Sequence, residues 1–129
     1  MNTQTKTVLI VDDDNNFREL LSCALAESFG VITAEDGEVG VKLALKVRPD
    51  LIILDVMMPK MSGLEVLRAL LQDEETARIP VLVCTGSVFD AGMRDVFRIE
   101  RNCVGFFSKT APLDFIVGTV ERTLGMAGG

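Results

Sequence analysis

Short uninterrupted apolar runs alternate along the chain with stretches whose apolar residues recur every three or four positions. Val8 to Val11, Leu51 to Leu54 and Val81 to Cys84 are of strand length and rich in branched aliphatics, the pattern of strands buried on both faces. Val31 to Ala34 and Val104 to Phe107 add two shorter strands, and Pro80 fits the entry to the fourth. Phe17, Leu20, Leu21, Ala24 and Leu25 follow i, i+3, i+4, i+7, i+8 spacing and predict an amphipathic helix over residues 16–28, stopped by Gly30. Val39, Leu43, Ala44 and Val47 outline a second helix ending before Pro49, and Leu64, Leu67, Leu70 and Leu71 a third. The fourth, over residues 91–101, rests on Val96, Phe97 and Ile99; the fifth is lined by Ile116, Val120 and Leu124, with Pro112 in its first turn. The acidic run Asp73-Glu74-Glu75 reads as a solvated surface.

Strand and helix patterns in alternation predict βα units, hence an α/β, doubly wound (βα)5 sandwich on a five-stranded parallel sheet. One domain is expected over residues 6–124, with a flexible tail over 125–129. The length of 129 residues, 48% of them hydrophobic, suits a single core. Acidic residues outnumber basic ones 19 to 13, and the net charge of −6 argues against direct nucleic-acid binding or attraction to anionic membranes. No apolar run approaches the ~20 residues of a membrane span. Residues 1–7 are polar and lack the apolar stretch of a secretory signal, so no membrane insertion and a cytoplasmic location are expected. Cys23, Cys84 and Cys103 are widely spaced and read as small buried hydrophobes rather than a disulfide or zinc set. Histidine is absent, which removes Ser-His and Cys-His nucleophilic pairs; chemistry must run on carboxylates, Lys, Ser or Thr and metal.

Open parallel sheets bind ligands beyond the carboxyl ends of their strands. There the sequence places Asp12, Asp13 and Asp14 after the first strand, Asp55 after the third, Thr85 after the fourth, and Ser108 and Lys109 after the fifth. Singly each has a structural explanation: Asp14, Asn15 or Asn16 as a helix cap, Thr85 as a turn residue, Lys109 as a surface charge. Together they do not, because carboxylates gathered from neighbouring strand ends repel one another unless a cation lies between them, and an all-oxygen set suits Mg²⁺ or Mn²⁺. Asp55 is then the natural nucleophile toward a phosphoryl group, with Thr85 donating to one phosphoryl oxygen and Lys109 supplying positive charge to another.

The runs Val8 to Asp14, Leu51 to Glu65, Ile79 to Thr85 and Phe106 to Lys109 together resemble the receiver domain of bacterial response regulators. The resemblance implies a flavodoxin-like fold and a phosphorylation-controlled switch of a two-component system or phosphorelay, not an enzyme beyond its own phosphorylation and dephosphorylation. It implies Asp55 as phospho-acceptor, Asp12, Asp13, Asp55 and the Met57 carbonyl as the Mg²⁺ set, and Thr85 and Lys109 as the phosphoryl-sensing pair. Phe106 falls at the switch aromatic. The implied partners are a sensor histidine kinase or phosphotransfer protein and a downstream protein. Phosphorylation-dependent homodimerisation is expected on the face of the fourth helix, fifth strand and fifth helix.

Three departures stand out, one of them a stretch from Thr85 to Lys109 slightly longer than the family's usual one. Thr110 follows Lys109 where the family usually has Pro in a cis bond. A cis non-Pro bond costs about 2.5–4 kcal/mol, so this loop is either trans and rearranged or strained. Asn102-Cys103 replaces the usual Gly-Ala, with Asn expected to serve as a left-handed cap. Met57 is expected to shield an acyl phosphate from water, and Ser87 to activate water weakly. Two other functions fit part of this residue set. A metal-dependent phosphatase of the haloacid-dehalogenase kind would use Asp12 as nucleophile and Asp14 as acid/base, but Asn16 stands where Thr or Val is needed. A phosphate-independent scaffold would explain the missing Lys-Pro pair.

Overall fold

The computed structural model describes residues 5–58, 60–86 and 91–125; Pro59, Ser87 and residues 126–129 lie outside this set, as does the Ala91 side chain. The chain runs β1 (Thr7–Val11), α1 (Asn15–Leu25), β2 (Gly30–Ala34), α2 (Gly37–Val47), β3 (Leu51–Asp55), α3 (Gly63–Leu71), α4 (Glu74–Ala77), β4 (Val81–Thr85), α5 (Ala91–Arg98), β5 (Cys103–Ser108) and α6 (Leu113–Thr123). The strands form one parallel sheet in the order β2-β1-β3-β4-β5. Chain direction across the sheet therefore reverses between β1 and β3, and that is where a doubly wound sheet opens a crevice at its carboxyl edge.

The two-residue period of the strands decides what reaches that crevice. Val8, Ile10, Leu51, Ile53, Leu82, Cys84 and Phe107 pack on one face with Phe17, Leu21 and Leu25 of α1 and with Ile116 and Val120 of α6. Leu9, Val11, Ile52, Leu54, Val81 and Val83 pack on the other with Ala44 of α2, Val66, Leu67 and Leu70 of α3 and Phe97 of α5. Continued to the strand ends, the alternation assigns Asp12, Asp55 and Lys109 to the α1/α6 side and Thr85 to the opposite side.

Several sequence expectations shift. Helix α1 ends at Leu25, with the Ser28 and Phe29 amides closing onto the Leu25 carbonyl at 3.0 and 2.9 Å, and Gly30 opens β2 instead of stopping the helix. Leu20 lies off the buried stripe and is 53% exposed. In α2 the buried positions are Gly37, Gly40 and Ala44, while Val39 and Val47 are largely exposed. The reason is close approach, since a Cβ at Gly40 would lie 2.8 Å from Val11 Cγ2, leaving no room for larger side chains. The acidic run is exposed as expected, but Asp73 also caps the one-turn α4, anchored by the buried Thr76 hydroxyl donating to the Leu70 carbonyl at 2.6 Å. On α5 only Phe97 of the expected apolar trio is buried; Ile99 is 79% exposed. Cys84 is buried and Cys103 half-buried, but Cys23 is exposed, against the expectation for all three.

Residues 102–104 depart furthest. Asn102 is not left-handed; among the described non-glycine residues only Arg48 and Lys60 have positive φ. Its buried amide instead donates to the Leu67 carbonyl at 3.1 Å. Val81 pairs with Cys103 and Leu82 with Gly105, so Val104 is an extra residue, a bulge on the outermost strand. Pro112 is the N-cap of α6, one position before its first turn. Among the described residues no helix is long and apolar enough to cross a membrane.

Candidate functional site

Asp12 follows β1 directly, and its amide still pairs with the Ala34 carbonyl at 3.1 Å, so the carboxylate is set by the sheet itself. It is 1% exposed, and Asp55, the last residue of β3, is 4% exposed. Between them Lys109 reaches across from the end of β5, with Nζ donating to Asp12 Oδ1 at 3.1 Å and lying 3.5 Å from Asp55 Oδ2. Asp12 Oδ1 also accepts the Asp14 amide at 2.8 Å. Asp12 Oδ2 is 2.9 Å from Nζ but out of line for a hydrogen bond and accepts none, so one buried carboxylate oxygen has charge contact without a donor. Asp13 is exposed at the rim, and one oxygen each of Asp12, Asp13 and Asp55 lie within 4.8 Å of one another.

Asp14 does not join this group. Its side chain accepts the Asn16 and Phe17 amides at 3.0 and 3.3 Å and caps α1. Asp55 is fixed from its other side by the return into α3. The Gly63 amide donates to the Val56 carbonyl at 3.1 Å, Ser62 and Glu65 form a capping box, and a Cβ at Gly63 would sit 2.9 Å from the Asp55 carbonyl oxygen. The Met57 amide donates weakly to Asp55 Oδ1 at 3.4 Å.

Burial, then the charge of Asp12, pushes Asp55 up to about 7; Lys109 and the Met57 amide oppose the rise without cancelling it. For Lys109, burial pulls downward, but the hydrogen bond and charge of Asp12 and the charge of Asp55 outweigh it and hold the ammonium group above its ordinary value. The pocket thus holds two carboxylates and one fixed cation, with the second negative charge poorly compensated.

Thr85 is 4% exposed at the end of β4; its hydroxyl donates to the Phe107 carbonyl at 3.3 Å and its carbonyl accepts the Lys109 amide at 2.9 Å. The pairing of β4 with β5 therefore ties Thr85 and Lys109 together. Phe106, opposite Val83, is half-buried, with the guanidinium carbons of Arg94 and Arg98 5.8 and 5.7 Å from its ring centre. The Lys109–Thr110 bond is trans, as no described peptide bond is cis. In place of a proline, the turn is tied by the Thr110 amide donating to Ser108 Oγ at 3.1 Å and by the two hydroxyls at 2.7 Å. Met57 is 70% exposed, and a side chain so placed excludes little water from Asp55, contrary to the shielding expected of it.

Two contributors were missed from sequence. Arg18 donates to the Asp12 carbonyl at 2.7 Å and to Asn15 Oδ1 at 2.7 Å, and the Phe17 ring centre lies 5.1 Å from Lys109 Nζ. Only their position in the first turn of a helix beginning beside the site could have marked them.

The chain matches the family model for the response regulator receiver domain over residues 8–121. It belongs to that family. The receiver domain resembles the polar-differentiation response regulator DivK of Brucella ovis, at 34% identity over 128 residues, covering 95% of this chain and 99% of DivK. It is 45% identical over 83 residues to the probable transcriptional regulatory protein TcrX of Mycobacterium tuberculosis, which covers 64% of this chain but only 35% of TcrX. The receiver domain thus spans about a third of the one relative and nearly all of the other. The Vibrio cholerae chemotaxis protein CheY4 superposes with a TM-score of 0.86 at 28% identity, covering 92% of this chain and 98% of that one. Like its family, this receiver domain is a phosphoryl-accepting switch of two-component signalling rather than a conventional enzyme.

Proposed function

We propose that Asp55 accepts the phosphoryl group from the phosphohistidine of a partner kinase or phosphotransfer protein in the cytoplasm. The observation that carries this is a buried carboxylate, at the carboxyl end of a central strand, facing the Lys109 ammonium and a second buried carboxylate. An Asp55 oxygen attacks phosphorus, an O–P bond forms as the N–P bond breaks, and the departing imidazole keeps the electron pair. The chain's own catalysis is limited to this acceptance and to hydrolysis of the acyl phosphate.

Asp12, Asp13, Asp55 and the Met57 backbone carbonyl would hold Mg²⁺. The donor set fits, being all oxygen, with one carboxylate oxygen each of Asp12, Asp13 and Asp55 within 4.8 Å of one another. When bound, the ion neutralises charge on the transferring phosphoryl oxygens. Lys109 and the Thr85 hydroxyl each hold one of those oxygens once Asp55 carries them. Drawing Thr85 toward the phosphoryl group frees space beside Phe106, whose inward turn alters the face of α5, β5 and α6 for a downstream protein or a second copy of the chain. Asp14, spent on capping, has no role as an acid/base, which weighs against the haloacid-dehalogenase alternative. The complete set of carboxylates, Thr and Lys weighs against a phosphate-independent scaffold.

Intact-mass spectrometry after treatment with acetyl phosphate tests the acceptor. One Mg²⁺-dependent phosphoryl adduct is expected in wild type and none in Asp55→Asn; an adduct retained by that variant places the acceptor elsewhere. A second pair separates metal from cap. Asp14→Ala is expected to lower stability by about 1 kcal/mol without changing the Mg²⁺ concentration needed for half-maximal adduct, whereas Asp13→Ala leaves stability nearly unchanged and raises that concentration.

A further inference from the structure

We infer that Phe17 is a positioning residue for Lys109, its ring face helping to confine the ammonium group beside the carboxylates; the inference rests on the phosphoryl-accepting role given to the site. Lys109 reaches the pocket on a side chain with four rotatable bonds, and that side chain is still 22% exposed, so an open path to water remains. Its nitrogen is 2.9 and 3.1 Å from the Asp12 oxygens but 3.5 Å from the nearer Asp55 oxygen, so it lies closer to the non-accepting carboxylate. An aromatic ring also borders the ammonium group: the Phe17 ring centre is 5.1 Å from Nζ, within the range of a cation–π contact.

The ring is itself held in place by the same loop that bears the carboxylates. Phe17 is 8% exposed against the α1/α6 core, and its amide is capped by Asp14 Oδ1 at 3.3 Å. The Asp14 amide in turn donates to Asp12 Oδ1 at 2.8 Å. One turn of chain therefore fixes Asp12, the helix start and the ring, and Lys109 is seated on all of it. An aliphatic residue at position 17 would preserve the core but offer no negative π face, and Lys109 would then exchange more freely between the pocket and water.

The test uses Phe17→Leu and Phe17→Tyr in the full chain, each first shown by urea unfolding to be folded under assay conditions. Lys109 acylation by limiting acetic anhydride, read by peptide mass spectrometry against Lys42 and Lys46 in the same molecule, should rise about three- to tenfold in Phe17→Leu and stay within about twofold of wild type in Phe17→Tyr. The rate of adduct formation from acetyl phosphate with Mg²⁺ should fall in Phe17→Leu by a similar factor, and Phe17→Leu should add no further loss in a Lys109→Met background. Unchanged Lys109 acylation in Phe17→Leu overturns the inference, as does an equal rate loss with and without Lys109, which would make Phe17 a core residue only. The acylation measurement needs no phosphorylation, so absence of any adduct in wild type would count against the acceptor role alone.

Discussion

Asp55→Asn should be more stable than wild type at pH 8 and equally stable near pH 4, measured by urea unfolding in EDTA. Burial and Asp12 raise Asp55 to about 7 in the folded chain, against about 3.9 unfolded. Between these values the native state binds the extra proton, so stability contributed by the protonated form is present below the unfolded value and is lost as pH rises through the folded one. Asn is neutral throughout and close in shape to the protonated acid, so it escapes this loss. The difference in pKa corresponds to about 4 kcal/mol, and the expected gain is about 2–4 kcal/mol. Mg²⁺ should stabilise wild type at pH 8 far more than it stabilises the variant. Parallel pH–stability curves for the two proteins would show that Asp55 ionises without penalty.

Lys109→Met should act in the opposite direction on stability and more severely on function. It keeps most of the apolar stem but leaves Asp12 and Asp55, at 1% and 4% exposure, without their shared cation. Removing one partner from a buried ionic cluster costs about 3–5 kcal/mol; the partial exposure of Lys109 and the ability of Asp55 to take up a proton lower the expectation at pH 8 to about 2–3 kcal/mol. The deficit should shrink toward pH 5 as Asp55 protonates. A fixed donor aimed at transferring oxygens contributes about 10²–10³ in rate, so adduct formation from acetyl phosphate should slow by that order in a mass-spectrometric time course. Wild-type rates in the variant would remove Lys109 from the chemistry.

The carboxyl-edge residues could be read in advance because each lies at the end of a run whose burial pattern is unambiguous. A buried run of branched aliphatics ends at its first polar residue, so the apolar residues before them mark Asp12, Asp55 and Thr85, and Ser108 at the end of β5 marks Lys109 after it. The helices were less legible where packing is closest. Val39 and Val47 look like core by hydrophobicity, but α2 lies so near β1 at Gly40 and so near α3 at Gly37 that its fully buried positions are Gly37, Gly40 and Ala44. Local sequence suggests a backbone conformation for Asn102, whereas its role is a long-range side-chain bond to the Leu67 carbonyl, invisible in local sequence. Phe17 shows the same limit at the site: helical spacing marked it as core, and only the fold brings Lys109 over its ring. The loop after Lys109 had two open solutions, and the pairing of Ser108 with Thr110 shows how this chain takes the trans one.

The extra residue at Val104 bears on how copies of the chain can meet. A sheet's outermost strand with a regular ladder presents a row of free amides and carbonyls that can recruit a strand from another molecule. In β5 that row is broken between Cys103 and Gly105, where the ladder gains a residue with no counterpart on β4. Strand-to-strand fusion of two sheets along β5 is thereby discouraged, and an assembly forming on this side must meet through side chains, a contact that can be made and released without rebuilding the backbone of either partner.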